Sequence, residues 1–397
     1  MTGKTIFISD IHMGINARTN WYQDRVHRKA LKGFLRYILK HATGINEVVI
    51  LGDWFDQWTY SPTGNPPDVT QIMEDNKDIF ISQEDGSGDF ISVMEAIRGN
   101  LRFVNGNHDM LVELKDINSW LVQHTDQRVY PGVGGDLAKP SSENTFYQND
   151  NGKIYAEHGH LYDLFNKPAN MPQNQYVPVP VGHFITRTVG DYVLKQLDSA
   201  HPNSAYLKGS GDPNYSNFGI DLKVICETII DLIKRGEEPN ISEITLDIVL
   251  SFDKTDKLNY NMQWHRGGCP SSDAVDNYYP GLFSSGNLFE DLREAGVSFE
   301  GLDCFAKQHF NKNPRVRVMV MGHTHDYKLV WSGREKDPVY MNSGFYCASV
   351  PDMESGKKML TFVEVIETDN AGFTINEKKI ADYKTGVVTQ GQSATID

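Results

Sequence analysis

The 397-residue sequence predicts an α/β fold, a layered sandwich whose site is built by loops at the carboxyl ends of buried strands. Three observations lead there. Five short apolar runs rich in β-branched residues each stop at a polar, chemically competent group. A segment of helical period separates the first two runs, and the last part of the chain carries apolar runs with no long helix between them.

Thr5 to Ile8 is the first run and delivers Ser9-Asp10. Asp24 to His41 places Val26, Ala30, Phe34, Tyr37 and Ile38 at helical spacing, so the opening reads strand, helix, strand. Val48 to Leu51 ends in Gly52-Asp53, and Leu101 to Val104, after a helix-like Phe90 to Ile97, ends in Asn105-Gly106-Asn107-His108. Ile154 to Ala156 precedes Glu157-His158, and Val316 to Met321 precedes Gly322-His323. All five ends are expected along one face of one sheet. Lys328 to Trp331, Val339 to Met341, Met359 to Ile366 and Phe373 to Ile380 follow and are expected to pair antiparallel.

Two stretches read as insertions. Residues 59–89, rich in Pro, Gly, Asp and Asn, are expected to form a surface insertion within the core. Residues 161–299 are the larger one. They hold a Pro-rich segment from Pro168 to Pro180, an apolar-periodic helix at Leu222 to Lys234, and a second helix from Ser242 to Phe252 with Asn240 or Ser242 as its cap. A mostly helical block between two site loops is expected to lie over the site as a cap, with residues 1–160 and 300–397 forming the core. Length alone leaves open one interrupted domain or two.

The formal charge of −14 and a pI near 5.4 oppose a broad electrostatic grip on nucleic acid, which depends on Lys and Arg contacts to phosphates. A small or neutralised phosphate compound fits better, since bound metal ions can hold a phosphate locally on an acidic protein. The 39% apolar and 23% charged fractions are those of an ordinary globular protein, and no apolar run nears the roughly 18 residues of a membrane helix. The chain enters its first apolar run directly after Met1-Thr2-Gly3-Lys4, which leaves no room for a signal peptide, and Cys226, Cys269, Cys304 and Cys347 form no C-x-x-C pair. A cytoplasmic location is expected; oligomeric state is not readable.

Asp10-Ile11-His12 follows a strand, and residues two apart in extended backbone project to one side, so a carboxylate and an imidazole can converge on an ion. Alone, the pair does not differ from solvated loop residues. Gly52-Asp53-Trp54-Phe55-Asp56 adds a carboxylate behind a glycine, with helix capping by Asp53 as its other reading. Asn105-Gly106-Asn107-His108-Asp109 sets three metal- or proton-competent side chains in a row, or is simply a tight turn. Glu157-His158-Gly159-His160 and Gly322-His323-Thr324-His325 each supply histidines two apart. Together, five loops bearing such groups point to one site.

In order, DIH, GDWFD, GNHD, HGH and GHTH resemble the motifs of the calcineurin-like metallophosphoesterase family, and Asn342-Ser343-Gly344 resembles a turn that often follows there. The resemblance spans residues 10–325 and implies an α/β/β/α sandwich and a metal-dependent phosphoric ester hydrolase. It implies two divalent ions, one held by Asp10, His12 and His325, the other by Asn107, His158 and His323, with Asp53 bridging. Donors that mix oxygen and nitrogen without thiolate suit Mn²⁺ first, then Fe, Zn²⁺ or a mixed pair. Such ions activate a water for attack on phosphorus. By the same resemblance His108 stabilises the transition state or protonates the leaving oxygen, and Asp56 orients His108.

Around this set, His160 either lines the pocket or packs, and Asp163 reads as a helix cap or a surface charge. Trp264-His265-Arg266-Gly267-Gly268 offers His265 and Arg266 as substrate contacts, or is an ordinary loop; His183 and Arg187 have the same two readings. The expected function is hydrolysis of a phosphate monoester or diester of a small or medium substrate. The pattern from Gly52 to Trp58 is also similar to the UDP-2,3-diacylglucosamine hydrolase branch, although the insertion is not clearly amphipathic. A repair-type nuclease would use the same ligands, but a basic stripe is missing. A noncatalytic interaction module on this fold need not keep all seven ligand positions and His108, and here all are kept.

Overall fold

The computed structural model describes residues 3–15, 27–58, 67–81, 89–138, 143–163, 166–168, 180, 182–183, 302–325, 328–331, 337–344, 360–369, 372–382 and 384–396. The chain opens with strand β1 (Lys4–Ile8), helix α1 (Lys29–His41), a 3₁₀ turn at Ala42–Gly44 and β2 (Ile45–Leu51). Next come α2 (Val69–Asp75), α3 (Lys77–Phe80), α4 (Phe90–Ala96), β3 (Leu101–Val104), α5 (Leu114–Leu121) and β4 (Val129–Pro131). Then follow β5 (Phe146–Gln148), β6 (Ile154–Glu157), a 3₁₀ turn at His160–Tyr162 and α6 (Leu302–Lys312). Strands β7 (Val318–Met321), β8 (Lys328–Trp331), β9 (Val339–Asn342), β10 (Thr361–Glu367), β11 (Phe373–Asp382) and β12 (Val387–Ile396) complete the described chain.

The strands form two sheets, one of seven strands in the order β12-β11-β10-β1-β2-β3-β4 and one of five in the order β5-β6-β7-β9-β8. The alternation of a strand explains why they stack. In β1, Ile6 and Ile8 face the helices while Phe7 faces the second sheet; in β2, Val48 and Ile50 divide from Val49 and Leu51 in the same way. In β7, Val318 and Val320 meet the first sheet, and Met319 and Met321 lie under α6 with Leu302, Ala306 and Phe310. Strands with both faces apolar must be covered on both sides. The result is the expected α/β/β/α order.

Helix α1 buries Ala30, Leu31, Phe34, Leu35, Tyr37 and Ile38 against the first sheet, with Phe34 and Tyr37 both on Phe362 of β10, ring centroids 5.1 Å apart in each pair. Its last turn carries Lys40 and His41, the sign that suits the carbonyl end of a helix. Asp68 and Asp89 cap α2 and α4, accepting from the Thr70 and Ser92 amides at 2.7 and 2.8 Å.

Three expectations need correction. The five motif-bearing strand ends belong to two sheets: β1, β2 and β3 in the first, β6 and β7 in the second. Strand β9 pairs antiparallel with β8 but parallel with β7, because α6 and β7 return to the second sheet in the sense of β6. Residues 59–89 are not all surface: Val69, Ile72, Met73, Ile79 and Phe80 are buried in the helical layer, their apolar spacing hidden by the Pro- and Asp-rich flanks. The helices expected at Leu222 to Lys234 and Ser242 to Phe252 lie outside the described residues.

Candidate metal centre

The loops after β1 and β2 are tied by backbone before any side chain acts. Amides of Asp10, His12 and Met13 donate to the carbonyls of Gly52, Asp53 and Trp54 at 3.2, 2.8 and 2.8 Å, and the Asp56 amide returns to Met13 at 2.8 Å. The third loop closes on the second by contact: a Cβ on Gly52 would meet the Gly106 nitrogen at 2.5 Å and the His158 ring at 2.8 Å. Gly106 lies equally close to the Asp53 backbone, and its amide donates to Asp109 at 2.6 Å. From the second sheet, the His323 amide donates to both oxygens of Asp10, at 3.0 and 3.1 Å. Asp10, His12, Asp53, His323 and His325 all take left-handed backbone, φ between 50° and 72°, an uncommon conformation that clusters at functional sites.

Asp10, His12 and His325 form one group of donors within 4.8 Å of one another; Asp53, His158 and His323 form another; His12, Asp56 and His108 form a third. His158 Nδ1 donates to the Leu51 carbonyl at 2.7 Å, which turns Nε2 toward the other donors. Nε2 stands 3.1 Å from Asn107 Oδ1 and 3.1 Å from Asp53 Oδ2. Asn107 is turned this way because its amide nitrogen donates to Asn166 Oδ1 at 3.3 Å. In the neighbouring group, His12 Nε2 and His325 Nε2 face each other at 3.1 Å, with Asp53 Oδ2 3.6 Å from the first and Asp10 Oδ1 3.5 Å from the second. Buried nitrogen and oxygen donor atoms converging in this way fit a cation, or else are held together by protons on the rings.

The donor groups also perturb one another's charge. Burial pushes Asp10 up, aided by Asp53; burial also works on Asp53, but His158 and His108 hold it well below the carboxylate range. Burial disfavours the charged His158 ring, yet Asp53 and Asp10 carry it up to about 9. His160 and His325 go the other way, held neutral by burial and by the rings around them. The donors compete for protons that a divalent ion would displace.

Beside the two groups, Asp56 Oδ1 stands 3.1 Å from His108 Nδ1 and Oδ2 stands 3.4 Å from His12 Nδ1, so one carboxylate faces two rings. Against the cost of burial, Asp56 and Asp53 raise His108. Trp58 stacks on His108 with centroids 4.0 Å apart, and buried His183 meets the far side of Trp58 edge-on at 5.5 Å.

All nine residues singled out from the sequence as ligands or catalytic groups are therefore brought together. Asp53 is no helix cap: its Oδ1 accepts the His108 amide at 2.8 Å. His160 is buried, its ring 5.4 Å from that of His158. His265, Arg266 and Arg187 lie outside the described residues. Asp109 does not join the donors but accepts from Gly106, Trp54 and Phe55 amides, clamping two loops, and burial lifts it to about 7. Asp163 is no surface charge: it closes the 3₁₀ turn His160–Tyr162, is buried, and accepts from His323 Nε2 at 3.0 Å. The sequence signal was its place, with Asn166, one turn apart directly after the His158 motif. Ser9, also missed, contacts Asp10 and Ser343.

Residues 3–224 match the model of the family described as calcineurin-like phosphoesterase. The chain belongs to this family. No curated protein matches the sequence. Among solved structures, the chain is similar to a conserved predicted phosphoesterase from Streptococcus pneumoniae, 9% identical with a TM-score of 0.31, covering 100% of this chain and 98% of that one. A dimetal phosphatase from Danio rerio is 11% identical with a TM-score of 0.34 over 99% and 98% of the two chains. A purple acid phosphatase from yellow lupin seeds is 12% identical with a TM-score of 0.34 over 100% of this chain and 54% of its own. As a member of its family the chain is a metallophosphoesterase, with groups of residues suited to a pair of metal ions.

Proposed function

We propose that the chain is a dinuclear phosphoesterase that hydrolyses a phosphate monoester or diester of a small or medium substrate. Asp10, His12 and His325 would hold one divalent ion, Asn107, His158 and His323 the other, and Asp53 both. The observation that carries the reading is the convergence of buried donor atoms: His158 Nε2 on Asn107 Oδ1 and Asp53 Oδ2, and His12 Nε2 on His325 Nε2. Manganese is the metal we assign first, on the mixed nitrogen and oxygen donor set.

Bound, the ions supply positive charge to the phosphoryl oxygens and a water acidic enough to attack phosphorus at neutral pH. The protein's own part begins with tautomers. The Leu51 carbonyl fixes the proton of His158 on Nδ1, and Asp56 draws the Nδ1 protons of His12 and His108. His108 thereby keeps Nε2–H for the substrate side, where it donates its proton to the leaving oxygen as the P–O bond breaks and water's oxygen joins phosphorus. Trp58, stacked on His108, walls that side of the ring from water.

Residues 161–299 serve in this reading as a cap that selects the substrate. Among the described residues of that stretch, Pro180, Gly182 and His183 are buried, His183 against Trp58, which supports this reading. Among the described residues no helix is long and apolar enough to cross a membrane, and a cytoplasmic enzyme is the location we infer from the scattered cysteines.

The test is metal analysis of protein purified without chelator, joined to assays of phosphomonoesters, phosphodiesters, nucleotides and pyrophosphates with Mn²⁺, Zn²⁺ and Mg²⁺. Two metals per chain and phosphate or phosphoester release are expected. Less than one transition metal per chain, unrestored by Mn²⁺, with no turnover of any compound, would favour a noncatalytic module.

A further inference from the structure

One buried carboxylate at the site has no part in the seven-residue ligand set. Asp163 follows the 3₁₀ turn His160–Tyr162, its amide bonded to the His160 carbonyl at 3.1 Å, and its own carbonyl accepts from the Asn166 and Lys167 amides at 3.2 and 2.8 Å. That turn puts the Asp163 and Asn166 side chains together, Asn166 Nδ2 donating to Asp163 Oδ2 at 2.6 Å. Both ends of the pair then reach into the metal centre. Asp163 Oδ2 accepts from His323 Nε2 at 3.0 Å, and Asn166 Oδ1 accepts from Asn107 Nδ2 at 3.3 Å.

We propose that Asp163 and Asn166 are positioning residues for one metal of the pair, a brace that sets two of its three unshared ligands. The inference rests on the reading of Asn107, His158 and His323 as those ligands. An ionised carboxylate only accepts, so Asp163 keeps the His323 proton on Nε2 and leaves Nδ1 as the donor atom. An amide oxygen also only accepts, so Asn166 binds the NH₂ end of Asn107 and turns its carbonyl oxygen toward His158 and Asp53. The hydrogen bonds of the brace run to Asn107 and His323. It therefore acts on the ligands of one ion, and it lies at the start of residues 161–299.

The test loads the metal-free full chain with Mn²⁺ alone and follows two-site titration and the Mn²⁺ electron paramagnetic resonance spectrum. Wild type should bind two ions and give the spectrum of a spin-coupled pair. Asp163→Ala should weaken one ion roughly 10–100-fold while the other stays within about twofold, so that at one equivalent per site an isolated six-line Mn²⁺ signal replaces the coupled one. Asn166→Ala should weaken the same ion less, and Asp163→Glu, which restores an acceptor, should recover part of the loss. The retained ion reports that each variant is folded. Two ions bound as in wild type by Asp163→Ala and Asn166→Ala would overturn the brace, as would loss of both ions together from the milder Asn166→Ala. Failure of wild type itself to bind two ions would overturn the dinuclear reading, and the brace with it.

Discussion

Gly52→Ala tests how the second and third loops are held together. Gly52 has φ +79°, and an added Cβ would meet the Gly106 nitrogen at 2.5 Å, the Gly106 Cα at 2.6 Å and His158 Nδ1 at 2.8 Å. Left-handed backbone costs an L-residue about 1–2 kcal/mol. Overpacking against backbone that cannot retreat costs about 1–3 kcal/mol more, and the stiffer unfolded chain offsets about 0.4–1 kcal/mol. The net expectation is a loss of about 1–4.6 kcal/mol. Gly134 is the control, because its φ is +74° and nothing lies within 4 Å of its Cβ position. Gly134→Ala should lose no more than about 1.6 kcal/mol, the conformational part alone. Urea denaturation in chelator isolates the protein from metal linkage, and Mn²⁺ titration then shows whether Gly52→Ala also binds metal more weakly through the displaced His158. Equal losses in the two variants, or a loss below about 1 kcal/mol in Gly52→Ala, would refute the argument that close approach at this point builds the site.

Asp53→Asn should weaken both Mn²⁺ ions together, since one charge is shared between the two donor groups; elemental analysis showing normal occupancy would remove Asp53 from the bridge. His108→Ala should keep both ions while turnover falls roughly 10²–10⁴-fold, and loss of metal instead would place His108 among the ligands. Glu364 is buried, which opposes its charge, but contacts from Lys4 at 3.1 Å and Lys378 at 3.6 Å hold its carboxyl below the ordinary value near 4.5. A depressed folded value means the stabilisation is present above pH 4.5 and lost as pH falls through the folded value. Glu364→Gln should therefore be less stable than wild type at pH 7 by roughly 1 kcal/mol, with the difference shrinking by pH 3.5, as measured by chemical denaturation. A difference that widens in acid would contradict this sign.

What was legible in the sequence followed burial. Strands β1, β2, β3, β6 and β7 are apolar on both faces, so they stand out as continuous runs, and the polar groups at their ends pointed to one site and carried the family resemblance that implies the ligand set. Strand β12 reads Val-Val-Thr-Gln-Gly-Gln-Ser-Ala-Thr-Ile and buries only Ala394 and Ile396, which erased its alternation. Helix α6 buries Leu302, Ala306 and Phe310, a stripe too narrow to announce itself, and β4 and β5 are three residues each. The division into two sheets is a long-range pairing choice, invisible to any local window. Asp163 looked like a helix cap or a surface acid, and Asp109 like a metal- or proton-competent group, because the sequence shows charge and not enclosure; the neighbours His323 and Gly106 show what they do.

The left-handed backbone at Asp10, His12, Asp53, His323 and His325 also limits which chemistries this scaffold can be engineered to host. Asp, Asn and His are the side chains that tolerate this backbone best apart from glycine, so exchange among those three is conformationally cheap. Introducing Cys or Glu at these five positions, the usual route to a softer or more acidic metal site, would carry a backbone strain of about 1–2 kcal/mol at each. Asn107 and His158 are outside the positive-φ set. Under the proposed ligand assignment, attempts to change the bound metal are best begun at those two positions, where a new donor meets no positive-φ strain.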